Sequence, residues 1–419
     1  MNRIVLIGNG FDLAHGLKTR YEDFINWYWE QWGQKLRTSS NKSETDKFCS
    51  FVLRNNVGLG GWYLVWSYHY QRTLKSYENR ELIDIVINDK DVCDFKINST
   101  FFERICKAIK IKGWVDIERE YYDLLRDVVL KPTDCNYTLS ELNSHLRYIQ
   151  ELLANYLSDL TTNGLECDKR IYDQIYGKIS KSDISIAQLP TYYAYVDYLI
   201  HHADNDYQRL LCRYGIEGAE RHYKTTDIKR LAHYTDATAI EDIYLKDLIR
   251  PENILLLNFN YTAVADRYGT AKVSTVNHIH GNLSDPDDII FGYGDELDDD
   301  YKSLLKQTNT ECLNNIKSIK YLESGNYRNL LRFIESSPYQ VYIMGHSCGN
   351  SDRTLLNTLF EHKNCVSIKP YYYQKKDGSD NYLEIVQNIC RNFTDMKLMR
   401  DRVVNKTFCE PLPQCTQKN

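Results

Sequence analysis

One short run near the start of the chain constrains the fold more than any other feature of the sequence. After Arg3, residues 4–7 are Ile, Val, Leu and Ile, and so apolar a run is typical of a strand buried on both faces of a parallel sheet. It passes directly into a Gly-Asn-Gly turn at residues 8–10. The next run of the same kind, at residues 254–257, comes almost 250 residues later. We therefore expect an α/β core whose parts are separated by a long insertion.

The segment between these strands carries helical patterns. Residues 138–141, Thr-Leu-Ser-Glu, have the sequence of a capping box, and apolar residues follow at intervals of four and three through residue 156. A similar stripe runs through residues 117–128. The predicted domains are a core of residues 1–40 and 250–400, a mostly helical insertion of residues 41–249, and a loosely held tail of residues 401–419.

After residue 250, short apolar runs alternate with helical segments, as in a sheet whose parallel strands are joined by helices. The predicted strands are residues 254–257, 273–279, 289–291, 341–344 and 365–371. The predicted helices are residues 299–322, 327–336, 352–362 and 380–392. The fold class is therefore predicted as α/β, a Rossmann-like parallel sheet with a large, mostly helical insertion.

Glycine and small polar residues follow five of the predicted strands. In open α/β sheets, ligands bind in the crevice beyond the carboxyl ends of the strands, so five similar strand ends predict one ligand site along that edge. The residues are Gly8, Asn9, Gly10, Phe11 and Asp12 after the first strand, Asn260 after the second, His280 after the third, Gly292 after the fourth, and Gly345, His346 and Ser347 after the fifth.

Each of these motifs also has a plain structural interpretation. Glycines let backbone N–H groups and a helix N-terminus approach an anion, so residues 8–10 are a candidate phosphate loop. Position 13 is leucine, however, so the Gly-x-Gly-x-x-Gly fingerprint is not matched, and a tight structural turn is the alternative. Correspondingly, His280 could be a core histidine, Asn260 a turn at a strand end, and His346 part of a helix entry.

Charge and composition argue against several classes of protein. A net charge of −5 disfavours a dedicated nucleic-acid binder, because such proteins draw affinity from cationic surface. The apolar run before the first glycine is too short for a signal peptide, and no segment reaches the ~18 apolar residues of a membrane span. The 12 cysteines include no Cys-x-x-Cys pair. We therefore expect a cytoplasmic protein with reduced thiols, no metal and no membrane partner, and homo-oligomerisation stays open.

Taken together, the motifs resemble the AbiH-type abortive-infection proteins of bacterial antiphage defence. The similar segments are residues 7–19, 114–118, 258–262, 278–281, 290–292 and 344–347. The resemblance implies a protein that acts on phage infection, with a phage-derived trigger as one expected partner.

The same motifs are similar, more distantly, to sirtuin-like NAD-consuming domains. The residues that fall on the spacing of the NAD loop in those domains are Gly8, Gly10, Asp12, Gly16 and Leu17. This resemblance implies that Asn260 orients the nicotinamide ribose, that His280 supplies the base, and that residues 345–347 hold the adenosine end. The zinc-binding cysteine pairs of the deacylases are absent from the sequence, and Thr262 stands where those domains have an acid.

We therefore predict a defence protein with a sirtuin-like core that binds NAD, as substrate or ligand, and hydrolyses its nicotinamide–ribose bond. Residues 8–11 would bind the pyrophosphate, Asn260 would hold the ribose or a water, and Asp12 would assist at the ribose. His280 would act as general base, since a histidine pKa near 6.5 suits that role. One alternative is a module that senses an ADP-ribose-like nucleotide without turnover. The other is a metal-dependent nuclease that uses acids at positions 116, 118 and 295–300.

Overall fold

The computed structural model describes residues 1–38, 43–53, 79–88, 93–132, 137–160, 165–202, 249–271, 273–285 and 288–415. Within them the strands are β1 Asn2–Ile7, β2 Ser43–Thr45, β3 Cys49–Leu53, β4 Cys93–Ile97, β5 Ile254–Asn258, β6 Ser274–His278, β7 Tyr339–Met344 and β8 Cys365–Tyr371. The α-helices are Asn9–Ala14, Tyr21–Thr38, Asn79–Asn88, Thr100–Lys112, Ile117–Leu130, Leu139–Asp159, Lys169–Tyr176, Asp299–Leu304, Lys317–Lys320, Asn326–Ser336, Arg353–Glu361, Tyr382–Arg391 and Met396–Arg402. None of the helices in the described part of the chain is long and apolar enough to cross a bilayer.

A parallel sheet organises the first part of the fold. Its strand order is β6-β5-β1-β7-β8, and every neighbouring pair within it is parallel. The strand β1 lies at the centre, with all six residues buried, and Ile4 pairs with Leu255 on one side and Val341 on the other. From β1 the chain winds outward to β5 and β6, then returns to β7 and β8 on the opposite side. The predicted α/β class with a parallel sheet is confirmed. The direction in which successive strands are added to the sheet reverses between β1 and β7.

The chain divides into two compact units whose boundaries differ from the predicted ones. The first comprises Met1–Leu17, Thr162–Asn282 and Tyr321–Asn419, and the second comprises Lys18–Thr161 and Leu283–Lys320. Residues 165–202 fall within the predicted insertion, yet they belong to the first unit. The reason is local packing: Ile171 and Ile175, on the helix Lys169–Tyr176, are fully buried in one apolar cluster with Val5 of β1.

The second unit is not purely helical. The strands β2, β3 and β4 form an antiparallel sheet, with Phe51 of β3 opposite Phe95 of β4. Its longest described helix, Leu139–Asp159, begins at the predicted capping box. There the Glu141 N–H donates to the Thr138 hydroxyl, and the Thr138 N–H donates to the Glu141 carboxylate.

Two predicted elements near residue 300 are wrong. Residues 289–291 form no strand; they are buried in a loop of the second unit, and nearby Tyr293 makes an isolated bridge to Ile316. Three apolar residues can be buried in a loop as readily as in a strand, so the sequence pattern does not separate the two. The helix predicted over 299–322 is interrupted, because the Asn309 side chain accepts the Glu311 N–H and starts a separate turn.

The described part of the predicted tail is bound to the first unit, which differs from the expectation of a loose segment. The Val404 N–H donates to the Ile368 carbonyl at 2.9 Å, and the Leu412 N–H donates to the Tyr372 carbonyl at 2.8 Å. These bonds lie along β8 and the residue that follows it. The tail therefore covers the exposed edge of the sheet, which otherwise offers unpaired backbone groups.

A buried cation lies in the central strand. Arg3 is fully buried, and its guanidinium donates to the Gln340 side chain at 3.1 Å. It also donates to three backbone carbonyls, those of Ile175, Gly177 and Lys178, at 2.7, 2.8 and 3.1 Å. These bonds attach the end of the helix Lys169–Tyr176 to the sheet.

We expect Arg3→Met to lower the free energy of unfolding by about 3–5 kcal/mol, because it leaves several buried acceptors without a donor. Arg332→Met is the matched control, since Arg332 is exposed and donates to the Asn329 side chain on its own helix. That change should stay within about 0.5 kcal/mol. Urea unfolding of the three proteins measures both effects, and equal stabilities would show that the Arg3 contacts are not stabilising.

Candidate functional site

The loops after β1 and β7 are in backbone contact at the point where the direction of winding reverses. The Gly8 N–H donates to the Met344 carbonyl at 3.3 Å, and the Gly10 N–H donates to the Gly345 carbonyl at 2.8 Å. Gly345 has φ +78°, and a Cβ added there would lie 2.1 Å from the Phe11 nitrogen. Only glycine fits this position, so the crevice in which α/β folds bind ligands is here bounded by two interlocked turns.

Three N–H groups of the predicted phosphate loop, those of Gly8, Gly10 and Phe11, donate within the protein. Besides the Gly8 and Gly10 bonds, the Phe11 N–H donates to the Gly8 carbonyl at 2.8 Å. The glycines are thus explained by close backbone approach to Gly345. Any ligand at this edge must be held mainly by side chains, and Asn9 and Ser347 are the exposed ones in these two loops.

Asp12 follows the first loop and is almost completely buried. Its Oδ2 accepts a hydrogen bond from the Thr262 hydroxyl at 2.6 Å, while Oδ1 has no partner among the described residues. Burial raises the pKa of this carboxyl from about 3.8 to about 7, and the Thr262 bond offsets only part of that rise. Asp12 can therefore hold or release a proton near neutral pH.

An amide network joins the loops after β1 and β5. The Asn258 Nδ2 donates to the Thr262 carbonyl and to His278 Nδ1, both at 3.2 Å, and its Oδ1 accepts from the Asn260 N–H. The Asn260 Nδ2 in turn donates to the Gly8 carbonyl at 3.0 Å. The Asn260 side chain is thereby fixed against the first loop, with its Oδ1 left as an acceptor.

Two predicted histidines meet at the carboxylate of Asp352, a residue outside the predicted site. The His280 Nε2 lies 3.3 Å from Asp352 Oδ1, and the His346 Nε2 lies 3.5 Å from Asp352 Oδ2. The His280 Nε2 is also 3.1 Å from the Tyr321 hydroxyl. Phe259 packs against both imidazoles, with ring centroids 5.2 Å from His280 and 4.1 Å from His346.

The backbone after β7 fixes the state of His346. Its Nδ1 accepts the Cys348 N–H at 3.0 Å, so in the neutral ring the proton is on Nε2, which faces Asp352. Cys348 has φ +54°, a conformation that costs a non-glycine residue about 1–2 kcal/mol. Such strain is concentrated at sites where geometry matters more than local stability.

The two remaining predicted glycines, Gly16 and Gly292, are explained by local backbone structure. Gly16 has φ +80°, and its N–H donates to the Leu13 carbonyl where the helix Asn9–Ala14 ends. Gly292 belongs to the second unit, and a Cβ there would lie 2.0 Å from the Asn315 carbonyl oxygen. Its N–H donates to the Glu118 carboxylate.

The acids of the nuclease alternative also have partners. Asp116 caps the helix Ile117–Leu130 by accepting the Arg119 N–H, and Glu118 forms a buried ion pair with Lys317 at 2.8 Å. Across the described ranges, no group of three His, Cys, Asp or Glu side chains could hold a metal ion.

Asp352 was missed because its position suggests another role. It begins the helix Arg353–Glu361, where an aspartate is normally interpreted as an N-cap. Its side chain makes no capping bond there and is directed to the two histidines instead. No sequence pattern distinguishes these two uses of a helix-initiating aspartate.

Comparison with known proteins gives one family. The family described as "Bacteriophage abortive infection AbiH" matches residues 4–373, which include every residue of the site described above. No curated protein and no solved structure matches the chain.

The contact between the two turns can be tested with two alanine substitutions. Gly378 has φ +85° and no atom within 4 Å of an added Cβ, so Gly378→Ala should cost only backbone strain, about 1–2 kcal/mol. Gly345→Ala adds the overlap with the Phe11 nitrogen and should lower the free energy of unfolding by about 1–3 kcal/mol more. Denaturant unfolding measures the free energy of unfolding of both variants. An equal loss of stability in the two would mean that the turns after β1 and β7 are free to separate.

Asp12 should make stability depend on pH in a defined window. Between about pH 4 and 7 the native protein keeps a proton that the unfolded chain releases, so the free energy of unfolding falls as pH rises. Over the window the fall should reach up to about 4 kcal/mol, and Asp12→Asn should remove it.

Asp377→Asn is the control for this experiment, because the pKa of the exposed Asp377 is lowered by the Ser379 hydroxyl and lies below the window. Urea unfolding at several pH values measures the slope. An Asp12→Asn protein with the wild-type slope would assign the pH dependence to other groups.

Proposed function

This chain belongs to the AbiH family of bacteriophage abortive-infection proteins, and on that premise we propose that it acts in defence by hydrolysing the nicotinamide–ribose bond of NAD. The reaction takes place at the carboxyl edge of the parallel sheet. The observation that carries the proposal is the carboxylate of Asp352 between His280 and His346, beside the crevice between β1 and β7.

His280 is the general base of the proposed reaction. Asp352 faces its Nε2 and keeps a proton on that nitrogen, which makes Nδ1 the basic atom of the ring. Water attacks the anomeric carbon of the nicotinamide ribose, and its proton passes to His280. The carbon–nitrogen bond breaks, and nicotinamide leaves with the bonding electron pair. The second product is ADP-ribose.

Side chains hold the substrate, because the N–H groups of Gly8, Gly10 and Phe11 already donate within the protein. The Asn260 Oδ1 accepts a hydrogen bond from a ribose hydroxyl or from the attacking water, since its Nδ2 is fixed to the Gly8 carbonyl. Asn9 and Ser347, which are exposed on neighbouring loops, hold the pyrophosphate and the adenosine end. Asp12, with a pKa of about 7, exchanges a proton near the ribose.

One observation favours a second candidate function, the sensing of an ADP-ribose-like nucleotide without turnover. The side chains of His280 and His346 are only 5% and 6% exposed. A base covered to this degree reaches water only after the surrounding side chains move. A protein that only binds a nucleotide does not need that movement.

We expect purified protein to release nicotinamide from NAD in the presence of a lysate of phage-infected cells. His280→Ala should lower kcat by about 10²–10⁴-fold with little change in KM, the usual effect of removing a general base. Asp352→Asn should lower kcat through loss of ring orientation. Chromatography of the reaction products measures the rate of nicotinamide release by the wild-type protein and by both variants.

His362→Ala is the matched control, because His362 pairs with Glu335 at 3.2 Å near the amino end of β8. That variant should keep wild-type turnover. Wild-type protein that leaves NAD intact with the lysate present would contradict the hydrolase. If calorimetry then shows that the same protein binds ADP-ribose, the sensing function replaces it.

A further inference from the structure

Two asparagine side chains hold the turn after β7. Asn388, on the helix Tyr382–Arg391, donates from Nδ2 to the Ser347 carbonyl at 2.8 Å. Asn392 directly follows that helix and donates from Nδ2 to the Cys348 carbonyl, also at 2.8 Å. Residues four positions apart lie on the same face of a helix, so both amides reach one turn. We call these two residues the asparagine clamp.

Both amides of the asparagine clamp are fixed in the orientation that donates to the turn. The Asn388 Oδ1 accepts from the Arg391 guanidinium at 2.8 Å, which leaves its Nδ2 to donate. The Asn392 side chain is fully buried, and its Nδ2 also donates to the Asn388 carbonyl at 2.8 Å. Turning the Asn392 amide over would place its oxygen against two carbonyl oxygens, so this orientation is the favourable one.

The asparagine clamp is also bonded to the helix that begins at Asp352. The backbone carbonyl of Asn392 accepts from Asn357 Nδ2 at 3.0 Å, and Asn357 lies on the helix Arg353–Glu361. One residue therefore bonds both the turn that carries His346 and the helix that follows Asp352.

The asparagine clamp sets the direction of one backbone N–H group. The peptide bond between Ser347 and Cys348 is planar and trans, so its carbonyl and its N–H point in opposite directions. Because Asn388 holds the carbonyl, the N–H is directed to His346 Nδ1, 3.0 Å away. Asn392 holds the next carbonyl, on the other side of Cys348, whose φ is +54°. A non-glycine residue keeps this conformation only where its surroundings hold it.

This N–H group decides which of the two histidines can take up a proton. The Asp352 carboxylate faces Nε2 of both His280 and His346, so the two rings share one negative charge. The neutral His346 ring carries its proton on Nε2, so it becomes cationic only by protonation of Nδ1. That atom already accepts the Cys348 N–H. Without this bond, a cationic His346 would compete with His280 for the charge of Asp352.

We propose that the asparagine clamp consists of positioning residues that keep His346 neutral and so reserve the charge of Asp352 for His280. Neither asparagine touches the reacting atoms, because both act through the peptide bonds on either side of Cys348. The effect of the clamp on turnover rests on the proposed function. Its effect on the His346 ring does not, and can be measured without a substrate.

The first test is ¹⁵N NMR of the full-length protein with labelled histidine near neutral pH, in which His346→Gln identifies the signal. The wild-type Nδ1 should have the shift of an unprotonated ring nitrogen. Asn392→Leu keeps a branched side chain but removes the donor, and it should move the signal toward the shift of a protonated nitrogen. Asn388→Leu, at a half-buried position, should move it in the same direction.

Asn364→Leu is the matched control for the NMR experiment. The Asn364 Nδ2 also donates to two backbone carbonyls, those of Ile334 and Glu335 at 2.8 and 3.5 Å, but it precedes β8 at the amino end of the sheet. This variant should leave the His346 signal unchanged, and thermal unfolding shows which variants fold. A protonated Nδ1 in the wild type, an unchanged signal in every folded clamp variant, or an equal shift in Asn364→Leu would overturn the proposal.

The second test separates action through His346 from a general loss of structure. Asn392→Leu should lower kcat for NAD about tenfold with little change in KM. In a His346→Gln background the same substitution should cause no further loss, because glutamine donates to Asp352 but cannot become cationic. An equal loss in both backgrounds would make the asparagine merely structural. Wild-type protein inert toward NAD would remove the proposed function, and the NMR result would still decide the role of the clamp.

Discussion

The candidate site depends on the backbone contact, here called the crossing, between the turn after β1 and the turn after β7. The loop after β1 and the loop after β7 approach so closely that Gly8, Gly10 and Gly345 each leave no room for a side chain. Because the crossing lies where the winding of the sheet reverses, it fixes both sides of the crevice at once. The helix that carries Asp12 and the loop that carries His346 start from these turns, so the crossing sets the positions of the acidic and basic groups of the site.

A second constraint acts at the other end of β1. A buried guanidinium is costly unless it is hydrogen-bonded, and Arg3 donates from its two terminal nitrogens to backbone carbonyls of the segment 175–178 and to Gln340. The sheet therefore holds a segment that the sequence places within a long insertion. Arg3 also lies over the ring of Tyr342 at 4.1 Å, which holds the cation against the neighbouring strand β7.

The sequence predicts those features of the fold that depend on residues close together in the chain. The strands β1, β5 and β7 each contain an unbroken run of four apolar residues, whereas β8 includes Ser367 and Lys369. The capping box at Thr138 satisfies its own backbone, so these features are visible in the local sequence. The sequence predicts the location of the site at one edge of the sheet, because parallel strands bring their carboxyl ends together. It does not predict which side chains meet there. Asp352 could not be predicted, since its contact with His280 joins residues 72 positions apart in sequence. The sequence does not show whether Gly8 belongs to a phosphate loop or to a tight turn, because the residue that it packs against, His346, is distant in the chain.

Burial connects the geometry of the site to the proposed activity. An imidazole and a carboxylate interact more strongly when water is excluded, so the cover that Phe259 provides strengthens the pairing of Asp352 with His280 and His346. Under the proposed function, the same cover limits access of water to His280, and turnover therefore requires Phe259 to move. Because the ring packs against both histidines, its displacement would expose them together. Under the proposed function, a ligand or trigger that displaces this one ring changes both the access to the base and the strength of its pairing with Asp352.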